Sequence, residues 1–239
     1  MSEATAGQDL CVCFPAAGGG GTTLTLVKDA AARHGLTPLA LPNADSVADL
    51  DSGRWQERTA EEIRRAADRC GARRIVLAGH SMGGLSAVRL HPALDMRGAR
   101  PTGVLVISTP CPDSSGRIPT MSQLSDPEIA QVLAHDGFPR ELLDDTDMLA
   151  EIAHGLRADA VVADRLAARI GPAGRLTDLH VLCGRDDRFI PPERCAAWAH
   201  RVSGAFHLTV VPGGHSLDAP RAGALGRALG AALPEEAAA

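Results

Sequence analysis

A chain of 239 residues with 45% hydrophobic and 22% charged side chains has the composition of a globular protein, which excludes disordered, collagen-like and coiled-coil readings. Its formal net charge of -5, with 3% aromatic residues and no Tyr, leaves neither an electrostatic footprint for nucleic acid nor a stacking platform for single-stranded bases. No apolar run spans a bilayer, no polybasic stretch anchors a membrane surface, and residues 1–10 lack the pattern of a signal peptide, so the expected location is the cytoplasm.

In chain order, apolar runs bounded by turn residues predict strands at 10–14, 38–41, 74–78, 103–108, 179–183 and 206–211. Runs this short and this uniformly apolar are the mark of parallel strands buried on both faces. Between them, helical periodicity predicts helices over 22–34, 59–70, 82–90, 193–202 and 221–233. The alternation predicts an α/β fold, a mostly parallel central sheet with flanking helices, forming one domain over 1–239. Between Pro110 and Pro172 the strands stop and helices follow one another at 126–134, 139–142, 146–154 and 158–170. Too apolar for a linker, the segment 110–172 is expected to be a helical lid inserted over the site. The Ala-rich tail 235–239 is expected to fray.

Six cysteines lie mostly in or beside apolar segments, which in a cytosolic chain reads as reduced, buried thiols. Cys11 and Cys13 share one strand face, and no second Cys/His pair completes a zinc set, so no metal is expected.

The sharpest motif is Gly79-His80-Ser81-Met82-Gly83-Gly84, lying between the third strand and an amphipathic helix. A G-x-S-x-G turn in that setting is a nucleophile elbow: side chains at Gly79 and Gly83 would clash, and Ser81 is pushed out at the carboxyl edge of the sheet. A serine hydroxyl needs a base, itself oriented by a carboxylate, and in this fold the chain order is Ser, acid, His. Two later strands end in Gly184-Arg185-Asp186-Asp187 and Pro212-Gly213-Gly214-His215. Both loops fall where ligands collect in open α/β sheets. His215 is therefore the candidate base, and Asp186 and Asp187 are the candidates for the acid. His80 is expected to pack and hydrogen-bond beneath the elbow. His34, His91, His135, His154, His180, His200 and His207 are assigned no role.

The segment 13–23, rich in glycine, follows the first strand. It has no G-x-x-x-x-G-K-[ST] and no G-x-G-x-x-G with a ribose-binding acid, so no nucleotide cofactor is expected. The alternative is one arm of an oxyanion hole, with the amide of Ala17, or Ala16, paired with that of Met82.

These residues together resemble a known family. Phe14-Pro-Ala-Ala-Gly-Gly, Gly79-His-Ser-Met-Gly-Gly, Leu124-Ser-Asp-Pro-Glu, Leu156-Arg-Ala-Asp, Gly184-Arg-Asp-Asp, Trp198 and Gly213-Gly-His are similar to motifs of the type II thioesterases of polyketide and nonribosomal peptide pathways. The resemblance implies the α/β-hydrolase fold and a cofactor-free hydrolysis of acyl groups from the phosphopantetheine arm of an acyl or peptidyl carrier protein. The family pattern places its acid three residues after the glycine of Gly184-Arg-Asp-Asp, so the resemblance assigns Ser81, Asp187 and His215 as the catalytic residues, in the chain order above, and leaves Asp186 as a solvated or loop-bracing acid. The family's P-G-R-x-x-R element is replaced by Leu41-Pro-Asn-Ala-Asp-Ser, which leaves open a specialised member that releases, cyclises or transfers one intermediate. A small-ester carboxylesterase or lactonase would use the same triad, and a catalytically silent carrier-binding module is the reading from outside enzymes. Arg117, Arg140 and Arg157 are within the lid or near the entrance, where a phosphate or an acidic carrier surface would meet them, but solvated or internally paired arginines are the expectation, and for Arg157 a structural pair with Asp159 or another lid residue.

Overall fold

Strand β1 (Leu10–Phe14) alternates its side chains between two buried layers, and this splits the interior of the protein in two. The computed structural model describes residues 9–19, 21–95, 101–170, 176 and 178–233. After β1 come α1 (Thr22–Arg33), β2 (Thr37–Ala40), α2 (Val47–Asp51), α3 (Arg54–Cys70), β3 (Ile75–His80), α4 (Met82–Asp95) and β4 (Pro101–Ile107). The helices α5 (Asp126–His135), α6 (Arg140–Asp144) and α7 (Thr146–Arg169) then precede β5 (Leu179–Gly184), α8 (Pro192–Ala196), β6 (Phe206–Val211) and α9 (Ala222–Ala231). The sheet has the order β2-β1-β3-β4-β5-β6, with every described ladder parallel. Cys11, Cys13, Val76, Ala78, Leu105 and Ile107 face the layer of α1 and α9. Leu10, Val12, Phe14, Leu77 and Val104 face the layer of α3, α4 and α7, where Trp55 and Leu166 are fully buried. Because strand order reverses on either side of β1, the crevice outside the strands' carboxyl ends is the natural ligand position.

Several boundaries differ from the sequence reading for identifiable reasons. β3 runs to His80 because Gly79 and His80 still pair with Val106 and Ile107 of β4. α3 starts at Arg54 rather than 59, launched by Gly53 at φ 78, a conformation glycine adopts without strain. α2 was missed for want of an apolar period; its signal is Ser46, whose side chain accepts from the Asp49 amide at 3.1 Å. The separate helices at 146–154 and 158–170 are one 24-residue helix, α7, continuous through Gly155. The helix at 193–202 is α8 followed by a 3-10 turn at Ala197–Arg201, and a second 3-10 turn at Ala219–Arg221 precedes α9. Burial on both faces holds for β1, β3 and β5 but not for the two edge strands: no residue of β2 is buried, and of β6 only Val211 is. The expected end of the insertion at Pro172 and the tail at 235–239 lie outside the described residues.

Among the described residues, no helix is long and apolar enough to cross a membrane. The cysteines are free thiols, all buried except the half-buried Cys70, and the Cys11 and Cys13 sulfurs lie 3.8 Å apart.

Candidate active site

The turn from β3 into α4 holds Ser81 at φ 54, a left-handed conformation that is strained for a residue with a side chain. Its surroundings fix it there. The Ser81 amide donates to the Ile107 carbonyl at 2.8 Å, and the Ser81 carbonyl accepts from the Gly84 amide at 3.0 Å and the Thr109 hydroxyl at 3.1 Å. The glycines around it are required by close approach. A Cβ on Gly79 would run into the Gly83 carbonyl, and one on Gly83 would run into the carbonyls of Phe14 and Pro15. α4 can therefore start directly against the end of β1, which sets the Met82 amide beside the β1–α1 loop.

Asp187 and His215 meet across the ends of β5 and β6. Asp187 Oδ2 lies 2.8 Å from His215 Nδ1, and the Asp187 side chain is fully buried. The other oxygen, Oδ1, accepts from the amides of Phe189 at 2.9 Å and Ile190 at 2.7 Å. With both oxygens committed, the carboxylate has one orientation and receives the Nδ1 proton, which leaves Nε2 as the basic nitrogen. Asp186 faces elsewhere: Oδ2 accepts from the Gly213 amide at 3.0 Å, while its own amide donates to the Gly213 carbonyl at 2.8 Å. It ties the β5 and β6 loops together.

His80 supports the imidazole from below. Its Nε2 donates to the His215 carbonyl at 3.0 Å, and the two rings lie 4.9 Å apart. Burial, helped by the neighbouring His215, pushes its pKa down to about 3, against the pull of the His215 carbonyl and the Asp136 charge. A neutral ring is thus kept beneath His215. Phe189 closes another side, edge-on to His215 at 5.6 Å.

Ser81, Met82, Ala16, Ala17, His80 and His215 all line one cavity of about 800 Å³, to which α5, the loop after it and α7 also contribute. The β1–α1 loop is held from three directions. Asn43 Nδ2 donates to the Pro15 carbonyl at 2.9 Å while Asn43 Oδ1 accepts from the Ser86 hydroxyl at 2.7 Å. The Gly19 amide donates to the Ala16 carbonyl at 3.2 Å, and the Gly18 amide donates to Asp159 Oδ2 at 2.6 Å. Asn43 sits in the Leu41-Pro-Asn stretch, so that segment anchors the loop.

Of the two partners expected for Arg157, Asp159 or another lid residue, the structure has the second, Asp126. Arg157 donates to the Leu124 carbonyl at 2.9 and 2.8 Å and to the Asp126 carboxylate, which frees Asp159 to reach Gly18. The two side chains, two residues apart on α7, project in different directions. Ser125 and Glu128 form the capping box that starts α5, which gives the Leu124-Ser-Asp-Pro-Glu stretch its physical reason. Sequence reading missed Asp136 too; its carboxylate accepts from the Ser216 amide and hydroxyl. No short-range pattern marks either acid, since each partner is far away in sequence.

Comparison with known proteins follows this geometry. Residues 11–218 match the family model described as the thioesterase domain. A probable cadicidin biosynthesis thioesterase of Streptomyces griseus is 27% identical over 215 residues, covering 85% of this chain and 56% of the relative. Thioesterase PikA5 of Streptomyces venezuelae is 30% identical over 151 residues, covering 59% of this chain and 50% of the relative. The chain thus spans about half the length of the curated relatives it matches. The crystal structure of RedJ, a thioesterase from the prodiginine biosynthetic pathway in Streptomyces coelicolor, superposes with a TM-score of 0.65 at 26% identity, covering 95% of this chain and 91% of that one.

Proposed function

The chain belongs to the thioesterase domain family, and from that premise we propose that it is a serine hydrolase that cleaves acyl thioesters from the phosphopantetheine arm of a carrier protein. The observation that carries this reading is the buried Asp187–His215 pair at 2.8 Å, set on the same cavity as the strained Ser81. The relatives named as biosynthesis thioesterases support a role in polyketide or nonribosomal peptide assembly.

In this reading His215 Nε2 takes the Ser81 hydroxyl proton as Oγ attacks the thioester carbonyl. The amides of Met82 and Ala17 receive the developing oxyanion, each donor being worth about 3 kcal/mol in the transition state. Engagement of the Gly18 and Gly19 amides elsewhere favours Ala17, or Ala16, as the loop's donor. Collapse expels the pantetheine sulfur, which leaves with the proton from His215. A water then gives its proton to the same imidazole, attacks the acyl-enzyme and releases the acid while Ser81 recovers its proton. Asp187 holds the tautomer and stabilises the imidazolium. No metal or organic cofactor enters these steps. The segment 110–172 acts as the lid: Leu133, Phe138, Met148 and Ile152 give the acyl chain an apolar enclosure that limits water.

The test is thiol release from acyl-pantetheine and acyl-carrier-protein thioesters, run beside alkyl esters, with Ser81→Ala as control. Free acid from the thioesters, abolished by the substitution, is the expected result. Intact thioesters with hydrolysed alkyl esters would replace the thioesterase reading by a carboxylesterase.

A further inference from the structure

The carboxyl end of α5 is fastened to both loops that carry the acid and the base. Asp136 Oδ1 accepts from the Ser216 amide at 3.0 Å, and Oδ2 accepts from the Ser216 hydroxyl at 2.7 Å. Ser216 follows His215 directly, so this carboxylate grips the peptide next to the base. The approach is closer than a side chain at position 214 would allow: a Cβ on Gly214 would lie 2.9 Å from Asp136 Oδ1. One residue earlier, His135 Nε2 donates to the Asp186 carbonyl at 3.1 Å, next to Asp187. Asp136 is half-buried on the cavity wall, and its charge is felt by His80 beneath the base.

We infer that Asp136 is a positioning residue for the reaction: through Ser216 it sets the loop that presents His215, so the lid takes part in assembling the base as well as in covering the substrate. The His215 loop is otherwise held by contacts at Gly213, by the Asp187 pair, by His80 on the His215 carbonyl, and further on by Arg221 on the Ser216 carbonyl at 3.1 Å and the Thr23 hydroxyl on the Leu217 amide at 2.9 Å. The amide of the His215–Ser216 peptide and the Ser216 hydroxyl are held by Asp136. That two-point grip is the lid's hold on the loop, and displacement of a base by about 1 Å is enough to cost on the order of a hundredfold in rate.

The inference rests on the triad reading above, and the experiment separates the two. A small fluorophosphonate reports the reactivity of Ser81 without an acyl chain and without filling the lid's apolar pocket. Wild type is expected to label, whereas Asp136→Ala labels about ten- to a hundredfold more slowly, with kcat lowered by a similar factor and KM changed by less than threefold. Asp136→Asn, which can still accept from one Ser216 donor, recovers part of the rate. Ser216→Ala is slowed severalfold, and Asp136→Ala/Ser216→Ala is no slower than Asp136→Ala alone, because both changes break the same contact. Glu141→Gln, which removes one charge from an exposed site on α6, labels like wild type.

If Asp136→Ala stays folded and labels at the wild-type rate, the inference is wrong, whether or not its melting temperature falls. A rise in KM with kcat and labelling unchanged overturns it as well and reduces Asp136 to a wall of the acyl pocket. Failure of wild type itself to label strikes the triad reading and takes this inference with it. Where Asp136→Ala does not fold, the Asp136→Asn and Ser216→Ala rates decide: slowing in both supports the inference, and wild-type rates in both overturn it.

Discussion

Asp159 on α7 accepts a 2.6 Å hydrogen bond from the amide of Gly18, 141 residues earlier in the chain. The bond fixes the peptide that follows Ala17, the residue whose own amide is proposed to bind the oxyanion. Asp159→Ala is expected to lower the acylation rate about tenfold, a fraction of the roughly 3 kcal/mol that one oxyanion donor supplies. Asp159→Asn, which keeps an acceptor oxygen, loses less. Pre-steady-state release of the first equivalent of thiol measures this directly, and equal rates in wild type and Asp159→Ala would detach α7 from the chemistry.

The two adjacent acids separate by role. Asp187→Asn keeps the shape of the buried carboxyl but places an amide group against His215 Nδ1, and a drop in kcat of about 10³ to 10⁴ follows from loss of the correct tautomer. Asp186→Asn loosens the brace to Gly213 and is expected to cost less than tenfold. Turnover of one thioester by both folded variants checks the order, and similar losses at the two positions would refute it.

His80 gives the protein an acid-side weakness. Its pKa is about 3 in the folded chain against 6.5 for an ordinary histidine, so below pH 6.5 the unfolded chain binds the proton that the folded one refuses. The stability associated with the neutral ring is complete above pH 6.5 and is lost as the pH falls toward 3, by up to about 1.4 kcal/mol per pH unit. Denaturant unfolding between pH 7 and pH 4 is expected to show a shallower decline for His80→Gln than for wild type. Parallel declines would place the acid sensitivity in other groups.

Close backbone contact at the elbow predicts a stability effect without any loss of chemical groups. In Gly83→Ala the new methyl meets the carbonyls of Phe14 and Pro15, backbone atoms that cannot swing aside. A cost of about 1–3 kcal/mol, typical of overpacking, is expected, together with displacement of Met82 from the β1–α1 loop. Thermal unfolding reports the first effect, and fluorophosphonate labelling at a temperature where the variant is folded reports the second.

The parallel sheet was legible because uniformly apolar strands of five or six residues alternate with helical periods, and the site residues because strand ends and glycine turns mark where they must lie. The six predicted strands are present, β1 and β6 with the predicted ends and the other four with shifted ones, and Ser81 and His215 line one cavity with the Met82 and Ala17 positions beside them. Asp187 rather than Asp186 faces His215, the choice that the family resemblance implied and that the residues by themselves left open. What local sequence could not convey is tertiary. Gly155 looked like a break in the lid but lies inside a helix whose flanks, Ala153 and Ala160, are buried; packing outweighs the roughly 1 kcal/mol helical cost of one glycine. For Arg157 the sequence left Asp159 and another lid residue open, and only the fold chooses: Arg157 turns back to Asp126 of α5, and Asp159 reaches across to the β1–α1 loop. Asn43 seemed only to replace a missing element, until the fold set it between Pro15 and Ser86.

The continuity of α7 determines how any opening of the roof would be shaped. Near its carboxyl end, Arg165 and Arg169 both pair with Asp51, at 2.7 and 2.9 Å, which ties the rod to the end of α2. A helix of 24 residues is a stiff lever of about 36 Å at 1.5 Å per residue, and tilting it by about 10° about that hinge moves the free end by about 6 Å. Met148 and Ile152, at the far end of the arm, would sweep the widest arc, whereas Ala160 and Ala163 would scarcely shift. A mouth opened this way would widen on the side of Met148 and keep its depth near Ala163, so that it would admit guests of different girth without changing the innermost reach of the chamber.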